Sequence, residues 1–363
     1  MASAPAGYDR LSKLKAFDDT KAGVKGLVDA GVTAVPRIFH HLAPALPHQV
    51  HHDKTTTSIP VIDLAAAGVG TADLVAQVKA AAETVGFFQV LNHGVPEASM
   101  SEMLASIKSF NEEPAEAKRP YYTRDPKRRV RYQSNFDLFQ SPAANWRDTL
   151  FLEMAPTGPA PDDIPPACRA IVSEYTRQVQ SLGRALLELL SEALGLHGGY
   201  LEHVAGCLDG IVVASHYYPP CPEPHLTLGT TRHSDPSFLT VLLQDGVGGL
   251  QVLLGERWVD VAPVAGALVV NIGDLLQLMS NDRFKSVEHR VVATTAGPRV
   301  SVACFFRTNG PAASSRVYGP IISKEQDPPG PGYRSVAVEE FLGYYKHKGL
   351  DGRSALDHFR LPP

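Results

Sequence analysis

Short runs of β-forming residues fill the chain between residues 210 and 308, and this feature most limits the folds that are open to it. Turn-forming sequences such as P-P-C-P-E-P and D-G-V-G-G separate the runs, which are Ile211–Tyr218, Phe238–Gln244, Leu250–Leu254, Arg257–Val261, Ala267–Ile272, Phe284–Val292 and Val300–Thr308. Many short strands at this spacing predict a β-sandwich or a barrel rather than βαβ units. The sequence has no G-x-G-x-x-G or P-loop motif, so a nucleotide-binding fold has no support.

The part of the chain that precedes these runs shows helical periodicity instead. In Ile171–Leu194 apolar residues recur at steps of three and four, and Gly195 ends the pattern. A Pro-rich stretch at 154–166 precedes this helix and predicts the main internal boundary. The remaining predicted elements are helices at Asp73–Val85, Glu97–Phe110 and Val336–Tyr345, and β-runs at Ile59–Leu64 and Phe87–Leu91.

The composition excludes several classes of protein. The net charge is −4, so without a basic excess neither nucleic acid nor a membrane surface is an expected partner. No apolar stretch approaches the ~18 residues of a membrane span, and Met1–Lys15 lacks the apolar core of a secretory signal. Because no C-x-x-C pairs occur, we expect free thiols at Cys168, Cys207, Cys221 and Cys304 in a reducing cytoplasm. Nothing in the sequence demands an oligomer, so a monomer is expected.

The segment Thr230–Thr240 contains a His-x-Asp pair, His233 and Asp235. On a strand, residues two apart point to the same face, so this imidazole and this carboxylate would converge. A third ligand must come from another strand, and His289 follows after 53 residues (289 − 235 − 1). Two histidines and one carboxylate, hereafter the triad, predict the facial site of a non-haem Fe(II) with open positions for other ligands.

Beyond His289 the chain offers groups that suit a dicarboxylic acid. Arg299 supplies a guanidinium fork and Ser301 a hydroxyl donor. Tyr218 is the second tyrosine of the sequence H-Y-Y-P-P and is expected to offer its hydroxyl to the same acid. Fe²⁺, Asp235⁻, a doubly charged acid and Arg299⁺ sum to zero, so a dry pocket would hold no uncompensated charge. Strand alternation predicts one common face for Arg299, Ser301, Ala303, Phe305 and Arg307.

Several longer motifs resemble the plant 2-oxoglutarate- and Fe(II)-dependent dioxygenase family. They are I-P-V-I-D-L, G-F-F-Q-V-L-N-H-G-V, Y-Y-P-P-C-P-E-P, H-S-D, G-G-L-Q-V, N-I-G-D-L-L-Q-L-M-S-N-D-R-F-K-S-V-E-H-R-V and R-V-S, and they run along nearly the whole chain. The resemblance implies a mainly β fold, with a double-stranded β-helix (jelly-roll) core and flanking α-helices. It implies Fe(II) on the triad and ascorbate as reductant, and it assigns the cosubstrate 2-oxoglutarate to Arg299, Ser301 and Tyr218.

This resemblance also suggests a division of the chain. We expect an N-terminal extension (1–58), an N-terminal dioxygenase region (59–166), a supporting helix (167–209), the Fe(II)/2-oxoglutarate dioxygenase core (210–310) and a C-terminal segment (311–363). One residue departs from the family pattern, because His216 stands where an Asn is usual. The hydrogen bonds to the cosubstrate are therefore expected to differ there, and His216 is a candidate, though not the expected, fourth iron ligand.

The branch of the family is suggested by F-D-D-T-K-A-G-V near the N-terminus and L-D-G-R-S-A-L-D-H-F-R-L near the C-terminus. These resemble aminocyclopropane-carboxylate oxidase homologues, and S-N-F-D-L-F with W-R-D-T-L-F resembles cereal dioxygenases of benzoxazinoid glucosides. The likeness implies O₂-dependent hydroxylation of a small plant specialised metabolite, with release of succinate and CO₂. The expected substrate is a benzoxazinoid glucoside or another aromatic or indolic compound, and the expected pocket residues are Phe305, Tyr132 and Phe136.

Two other functions remain open from the sequence. An ascorbate-dependent oxidase of the ethylene-forming type shares the triad and the R-x-S motif, although the long N-terminal extension argues against it. A non-catalytic jelly-roll binding module is the second alternative, and the intact triad argues against that one.

Overall fold

The structure is a computed structural model, and it describes residues 8–42, 58–65, 70–308, 316–321, 332–351 and 353–362. Parts of the predicted N-terminal extension and C-terminal segment lie outside these ranges. The described strands are β1 (Val61–Asp63), β2 (Phe87–Leu91), β3 (Val130–Ser134), β4 (Asp148–Ala155), β5 (Gly210–Tyr218), β6 (Leu228–His233), β7 (Leu239–Gln244), β8 (Leu250–Leu254), β9 (Arg257–Asp260), β10 (Leu268–Ile272), β11 (His289–Val292), β12 (Arg299–Arg307), β13 (Val317–Tyr318) and β14 (Val336–Ala337).

Helices cover the outside of this β-structure. They are α1 (Arg10–Asp19), α2 (Gly23–Asp29), α3 (Thr71–Thr84), α4 (Glu97–Glu112), α5 (Ala115–Lys118), α6 (Pro166–Ala193), α7 (Asp274–Met279) and α8 (Val338–Lys348). Among the described residues, no helix is long and apolar enough to cross a membrane.

Two mainly antiparallel sheets build the core. The larger has the order β1-β2-β10-β7-β12-β5-β4-β3, with β1 and β2 parallel, and the smaller has the order β6-β11-β8-β9. Apolar side chains of the two sheets meet in one cluster that includes Phe87 and Val269 from the larger sheet and Val252 and Val291 from the smaller. The chain therefore forms the predicted jelly-roll with flanking helices.

The outer face of the larger sheet packs against α3, α4 and α6. Helix α6 buries the predicted apolar stripe, and Gly183 lies so close to the sheet that an added Cβ would meet the ring of Phe306 at 2.5 Å. On β12, Val300, Val302 and Cys304 share this helix-facing core with Phe306. The alternate residues of β12 consequently face the inside of the jelly-roll, as the alternation predicted.

The N-terminal helices brace one end of the larger sheet. Phe39 makes edge-to-face contacts with Phe17 and Trp146, at 5.3 and 5.2 Å between ring centroids. The backbone N–H of Val24 donates to the buried carboxylate of Asp148 at 2.8 Å. These contacts fix the start of β4, which pairs with β5 in the larger sheet and carries Phe151 at the cavity described below.

The structure corrects several sequence-based expectations about elements. Only the last four residues of the run Phe284–Val292 form a strand, because the segment before His289 is held as a loop by bonds such as Lys285 N–H to Ala82 O at 2.9 Å. Strands β3, β4 and β6 and the short helix α7 were not predicted. The division of the chain into five regions stays a prediction.

Candidate active site

The three residues of the triad meet at the open end of the smaller sheet. His233 is the last residue of β6, His289 is the first residue of β11, and the two are paired in register. Asp235 lies two residues after His233 in the sequence. Its Oδ1 is 3.7 Å from His233 Nε2 and 3.6 Å from His289 Nε2. One ligand atom from each residue lies within 4.8 Å of the others, and His216 is outside this group. The donor set and its spacing fit a divalent metal with a facial triad.

Both imidazoles are oriented for binding through Nε2. His233 Nδ1 lies 2.7 Å from the carbonyl oxygen of Thr231, and His289 Nδ1 lies 3.2 Å from that of Val287. Because a carbonyl oxygen only accepts, each Nδ1 carries the proton and each Nε2 keeps its lone pair for a metal. Burial, followed by the neighbouring His289, lowers the pKa of His233 to about 3, so this ligand is neutral at physiological pH.

The carboxylate of Asp235 is held through its other oxygen. Oδ2 accepts hydrogen bonds from Thr240 Oγ1 at 2.7 Å and from Asn271 Nδ2 at 2.8 Å, which leaves Oδ1 facing the two imidazoles. Burial acts to raise the pKa of Asp235, but His289, His233 and these hydrogen bonds outweigh it and the pKa is lowered. Sequence reasoning missed Thr240 and Asn271, although their places on β7 and β10 were within predicted strands.

Arg299 and Ser301 lie on the inner face of β12, where the sequence placed them. Arg299 is 1% exposed, and its guanidinium donates to Gly248 O at 2.6 Å, Ser301 Oγ at 2.9 Å and Gln244 Oε1 at 3.2 Å. No carboxylate among the described residues forms an ion pair with Arg299. A buried guanidinium with only neutral acceptors is suited to an anionic ligand.

Tyr218 and His216 lie beside this guanidinium on β5. Arg299 lies over the Tyr218 ring at 4.9 Å, and the Tyr218 hydroxyl is 3.2 Å from Thr230 Oγ1. His216 Nδ1 is 3.0 Å from Thr149 Oγ1. Burial, with further contributions from nearby cationic side chains, lowers the pKa of His216, so its ring stays neutral in this pocket. His216 therefore offers a neutral hydrogen-bonding group in this pocket.

A cavity of about 240 Å³ opens in front of the triad. Phe136 and Phe305, two of the expected pocket residues, line it together with Phe151, and Phe305 also lines the smaller cavity around Arg299 and Ser301. The prediction for Tyr132 was wrong. Its side chain is fully buried in the helix-facing core, where it contacts Phe110 at 5.3 Å between ring centroids.

Comparison with known proteins identifies the family. The 2OG-Fe(II) oxygenase superfamily matches residues 209–308, and the N-terminal region of non-haem dioxygenases in morphine synthesis matches residues 59–169. The Arabidopsis thaliana protein 1-aminocyclopropane-1-carboxylate oxidase homolog 1 is 51% identical over 98% of both chains. The chain belongs to the 2OG-Fe(II) oxygenase superfamily. Within it, the chain is one of the plant homologues of aminocyclopropane-carboxylate oxidase, and a tomato (Solanum lycopersicum) homologue is 46% identical over 98% of both chains.

Solved structures support the same family and fold. The crystal structure of JOX2 in complex with 2OG, Fe and JA is 30% identical, covers 94% of this chain and 98% of that chain, and superimposes with a TM-score of 0.82. A rice dioxygenase for auxin oxidation is 28% identical, covers 84% of this chain and 100% of that chain, and has a TM-score of 0.69. This oxygenase is therefore an oxidoreductase of a family that uses Fe(II) and 2-oxoglutarate and acts on small molecules.

One further residue of this oxygenase was missed by the sequence analysis. Arg147 is 5% exposed and lines both the cavity in front of the triad and the smaller cavity around Arg299. Its Nη1 donates to Thr230 Oγ1 at 2.9 Å, whereas its buried Nε has no hydrogen-bond partner among the described residues. The sequence signal was present in W-R-D-T-L-F, since Arg147 immediately precedes β4.

Proposed function

We propose that this oxygenase hydroxylates a small aromatic or indolic plant metabolite in the cavity in front of the triad. The observation that carries the proposal is the common inner face of β12. Along this face Arg299 and Ser301 line the smaller cavity and Phe305 lines both cavities, with the triad facing the same space. Benzoxazinoid glucosides are the specific substrates that the sequence motifs suggest.

The proposed roles of the residues follow from their contacts. His233, His289 and Asp235 would hold Fe(II) through two neutral nitrogens and one carboxylate oxygen. Arg299 and Ser301 would bind the distal carboxylate of 2-oxoglutarate. The buried Arg147, which also lines both cavities, adds one positive charge to the neutral sum of Fe²⁺, Asp235⁻, the acid and Arg299⁺. When bound, iron and 2-oxoglutarate supply the oxidising power for C–H hydroxylation, with succinate and CO₂ as coproducts and ascorbate as reductant.

Apolar side chains of this chain would position the substrate and exclude water. Phe136, Phe151 and Phe305 line the cavity and give flat surfaces against which an aromatic ring can pack. His216 lies between the two cavities and, as a neutral donor and acceptor, would orient the cosubstrate or the substrate by hydrogen bonding.

Three broader expectations remain part of the proposal. We propose that the protein acts in the cytoplasm, supported by four buried cysteines that form no disulfide. We also propose a monomer, since no feature of the sequence demands an oligomer. We also propose the five-region division of the chain, supported by the boundaries of the two matched families at 59–169 and 209–308.

The test is conversion of 2-oxoglutarate to succinate by the purified protein with Fe(II), together with a search for products of +16 mass. Benzoxazinoid glucosides and indolic and phenolic compounds form the substrate panel. Asp235→Ala should abolish succinate formation, and the exposed Asp357→Ala should leave it intact as a matched control. Succinate formation that survives Asp235→Ala would refute the iron site. Strict dependence on ascorbate without succinate would favour the ethylene-forming type of oxidase.

A further inference from the structure

The cavity in front of the triad has a strongly basic end. Arg307 lies two residues after Phe305 on β12, so its side chain is on the same inner face, and it lines this cavity. Lys346 reaches the same space from α8 and Arg131 reaches it from β3. None of these three cations lines the smaller cavity at the Arg299 end. They therefore define a second cationic site, separate from the one expected to bind 2-oxoglutarate.

The charges at this end do not balance. Glu153 Oε1 is shared by Arg131 Nη1 at 3.1 Å and by Arg307 Nη2 at 3.4 Å, so one carboxylate serves two guanidiniums. Lys346 forms no ion pair with any described carboxylate. Of the described residues that line the cavity, Asp235 alone carries a carboxylate, and it belongs to the triad. Three cations, of which Lys346 is exposed to solvent, thus share the single carboxylate of Glu153 at this end of the cavity.

Hydrogen-bond donors at the basic end are also unsatisfied. Arg307 Nε and Thr308 Oγ1 are buried and have no hydrogen-bond partner among the described residues. Thr308 lines the cavity beside Arg307 and is 6% exposed. Buried donors without partners cost free energy, and an acceptor supplied by a ligand would remove that cost. Burial, with Arg307 and Arg131 close by, lowers the pKa of Lys346, as expected when cations are held together.

We propose that the substrate is an organic acid whose anionic group binds to Arg307, Lys346 and Thr308. The inference rests on the proposed function and names the chemical class of its substrate. Ser301 and Arg307 are six residues apart on β12, or ~20 Å along an extended strand, so the five-carbon 2-oxoglutarate cannot occupy both cationic sites. The anion at the basic end must therefore come from the substrate.

This arrangement also orients the substrate. With its acidic group at Arg307, the apolar body lies along Phe305, Phe136 and Phe151, and the far end points to the triad. The oxidised carbon is thus remote from the acidic group rather than adjacent to it. A neutral glucoside offers no charge to the basic end, so among aromatic and indolic metabolites the acids are the better fit.

The first experiment compares acidic and neutral metabolites directly. A plant extract is separated by anion exchange into an acidic pool and a neutral pool, and each is incubated with the wild-type protein, Fe(II), 2-oxoglutarate and ascorbate. We expect products of +16 mass in the acidic pool. Products that arise from the neutral pool alone would overturn the acid proposal and leave the oxygenase function standing. Absence of succinate from both pools would instead count against the proposed function.

Variants then test the site with the acid that is converted. Arg307→Met and Lys346→Met should each raise its KM about 10- to 100-fold, because each removes a charged hydrogen bond to the anion. The KM for 2-oxoglutarate, measured in the same assays, should change less than about twofold because that acid binds at the other end of β12. Lys348→Met is the matched control, since Lys348 lies on the same helix and pairs with Asp351 at 2.8 Å.

Binding provides a readout that does not depend on turnover. In protein loaded with Mn(II) in place of Fe(II), the acid should raise the melting temperature more than its methyl ester does. Arg307→Met should remove this difference while retaining the response to the ester. An ester that binds as well as the acid, or an acid preference that persists in both variants, would overturn the proposal.

Discussion

Replacing Arg299 with Met tests the cosubstrate site through both binding and stability. In the free protein this guanidinium is buried with three neutral acceptors, so its charge is uncompensated. Met keeps most of the side-chain volume and removes the charge. Since replacing buried charges by apolar groups of similar size is often neutral or stabilising, we expect the unfolding free energy without 2-oxoglutarate to stay within about 1 kcal/mol of wild type.

In contrast to this small effect on stability, Arg299→Met should weaken the binding of 2-oxoglutarate strongly. Loss of one partner of a buried charge pair costs ~2–5 kcal/mol, and taking 3 kcal/mol as about the centre gives a rise of ~150-fold in the KM for 2-oxoglutarate. Arg299→Lys keeps the charge without the guanidinium fork, so its KM should lie between those of wild type and Arg299→Met. Ser301→Ala removes one hydroxyl donor and should cost ~1 kcal/mol, or about fivefold.

The assay is succinate formation against 2-oxoglutarate concentration, together with urea unfolding with and without the acid. At 100 times its Kd, 2-oxoglutarate should stabilise the wild-type protein by ~2.7 kcal/mol and Arg299→Met hardly at all at the same concentration. A folded Arg299→Met protein whose KM rises less than about fivefold would refute the assignment. A variant that is strongly destabilised without ligand would show that Arg299 is mainly structural.

Three further predictions concern the surroundings of the site. Asn271→Ala removes the 2.8 Å hydrogen bond to Asp235 and should weaken metal binding ~10- to 100-fold in a Co(II) titration, and an unchanged affinity would contradict this. Gly183→Ala should lower the unfolding free energy by ~1–3 kcal/mol because its Cβ meets Phe306, whereas a stabilised variant would contradict the packing. Burial lowers the pKa of His41 to about 4, so between pH 6.5 and 4 the unfolded chain gains a proton on this residue and the folded chain does not. The unfolding free energy should therefore fall by at most ~3 kcal/mol as the pH drops over that range. His41→Gln should lessen this dependence of the unfolding free energy on pH, measured by urea unfolding.

The parts of the site that lie on regular strands were predictable from the sequence. The alternation on β12 placed Arg299, Ser301 and Phe305 on the inner face, because one side of that strand packs against helices. The pairing of His233 with His289 required the sheet order, which follows from the family resemblance rather than from spacing. The prediction that Tyr132 lines the pocket was wrong for a local reason. A shift of one residue along β3 exchanges the face toward the core for the face toward the cavity. Its neighbours Arg131 and Gln133 line the cavity instead.

Several of the strands that escaped prediction carry residues that face the polar interior. Strand β6 reads L-G-T-T-R-H and alternates poorly, because Thr230 serves a buried hydrogen-bond network rather than an apolar core. Strand β4 runs into the Pro-rich stretch that was interpreted as a linker. Arg147 was missed for the same reason, since it stands at the start of β4 in a segment without an apolar pattern. Where a jelly-roll lines a charged site, hydrophobic periodicity weakens and the sequence signal for strands weakens with it.

The centre of the β12 inner face carries a last prediction. Ala303 is paired with Ala214, so two small side chains meet where the cosubstrate and substrate would lie side by side. Ala303 is 4% exposed and lines the cavity of about 50 Å³ that the triad and Arg299 share. Ala303→Leu adds three carbon atoms there and should raise the KM for 2-oxoglutarate at least about tenfold, while filling the space should leave the melting temperature unchanged or higher. Cys304→Ala, one residue along and facing the helices, is the control, since it should lower stability and leave that KM unchanged. If Ala303→Leu kept the wild-type KM for 2-oxoglutarate, the cosubstrate could not lie along this face of β12, and Arg299 would need another ligand.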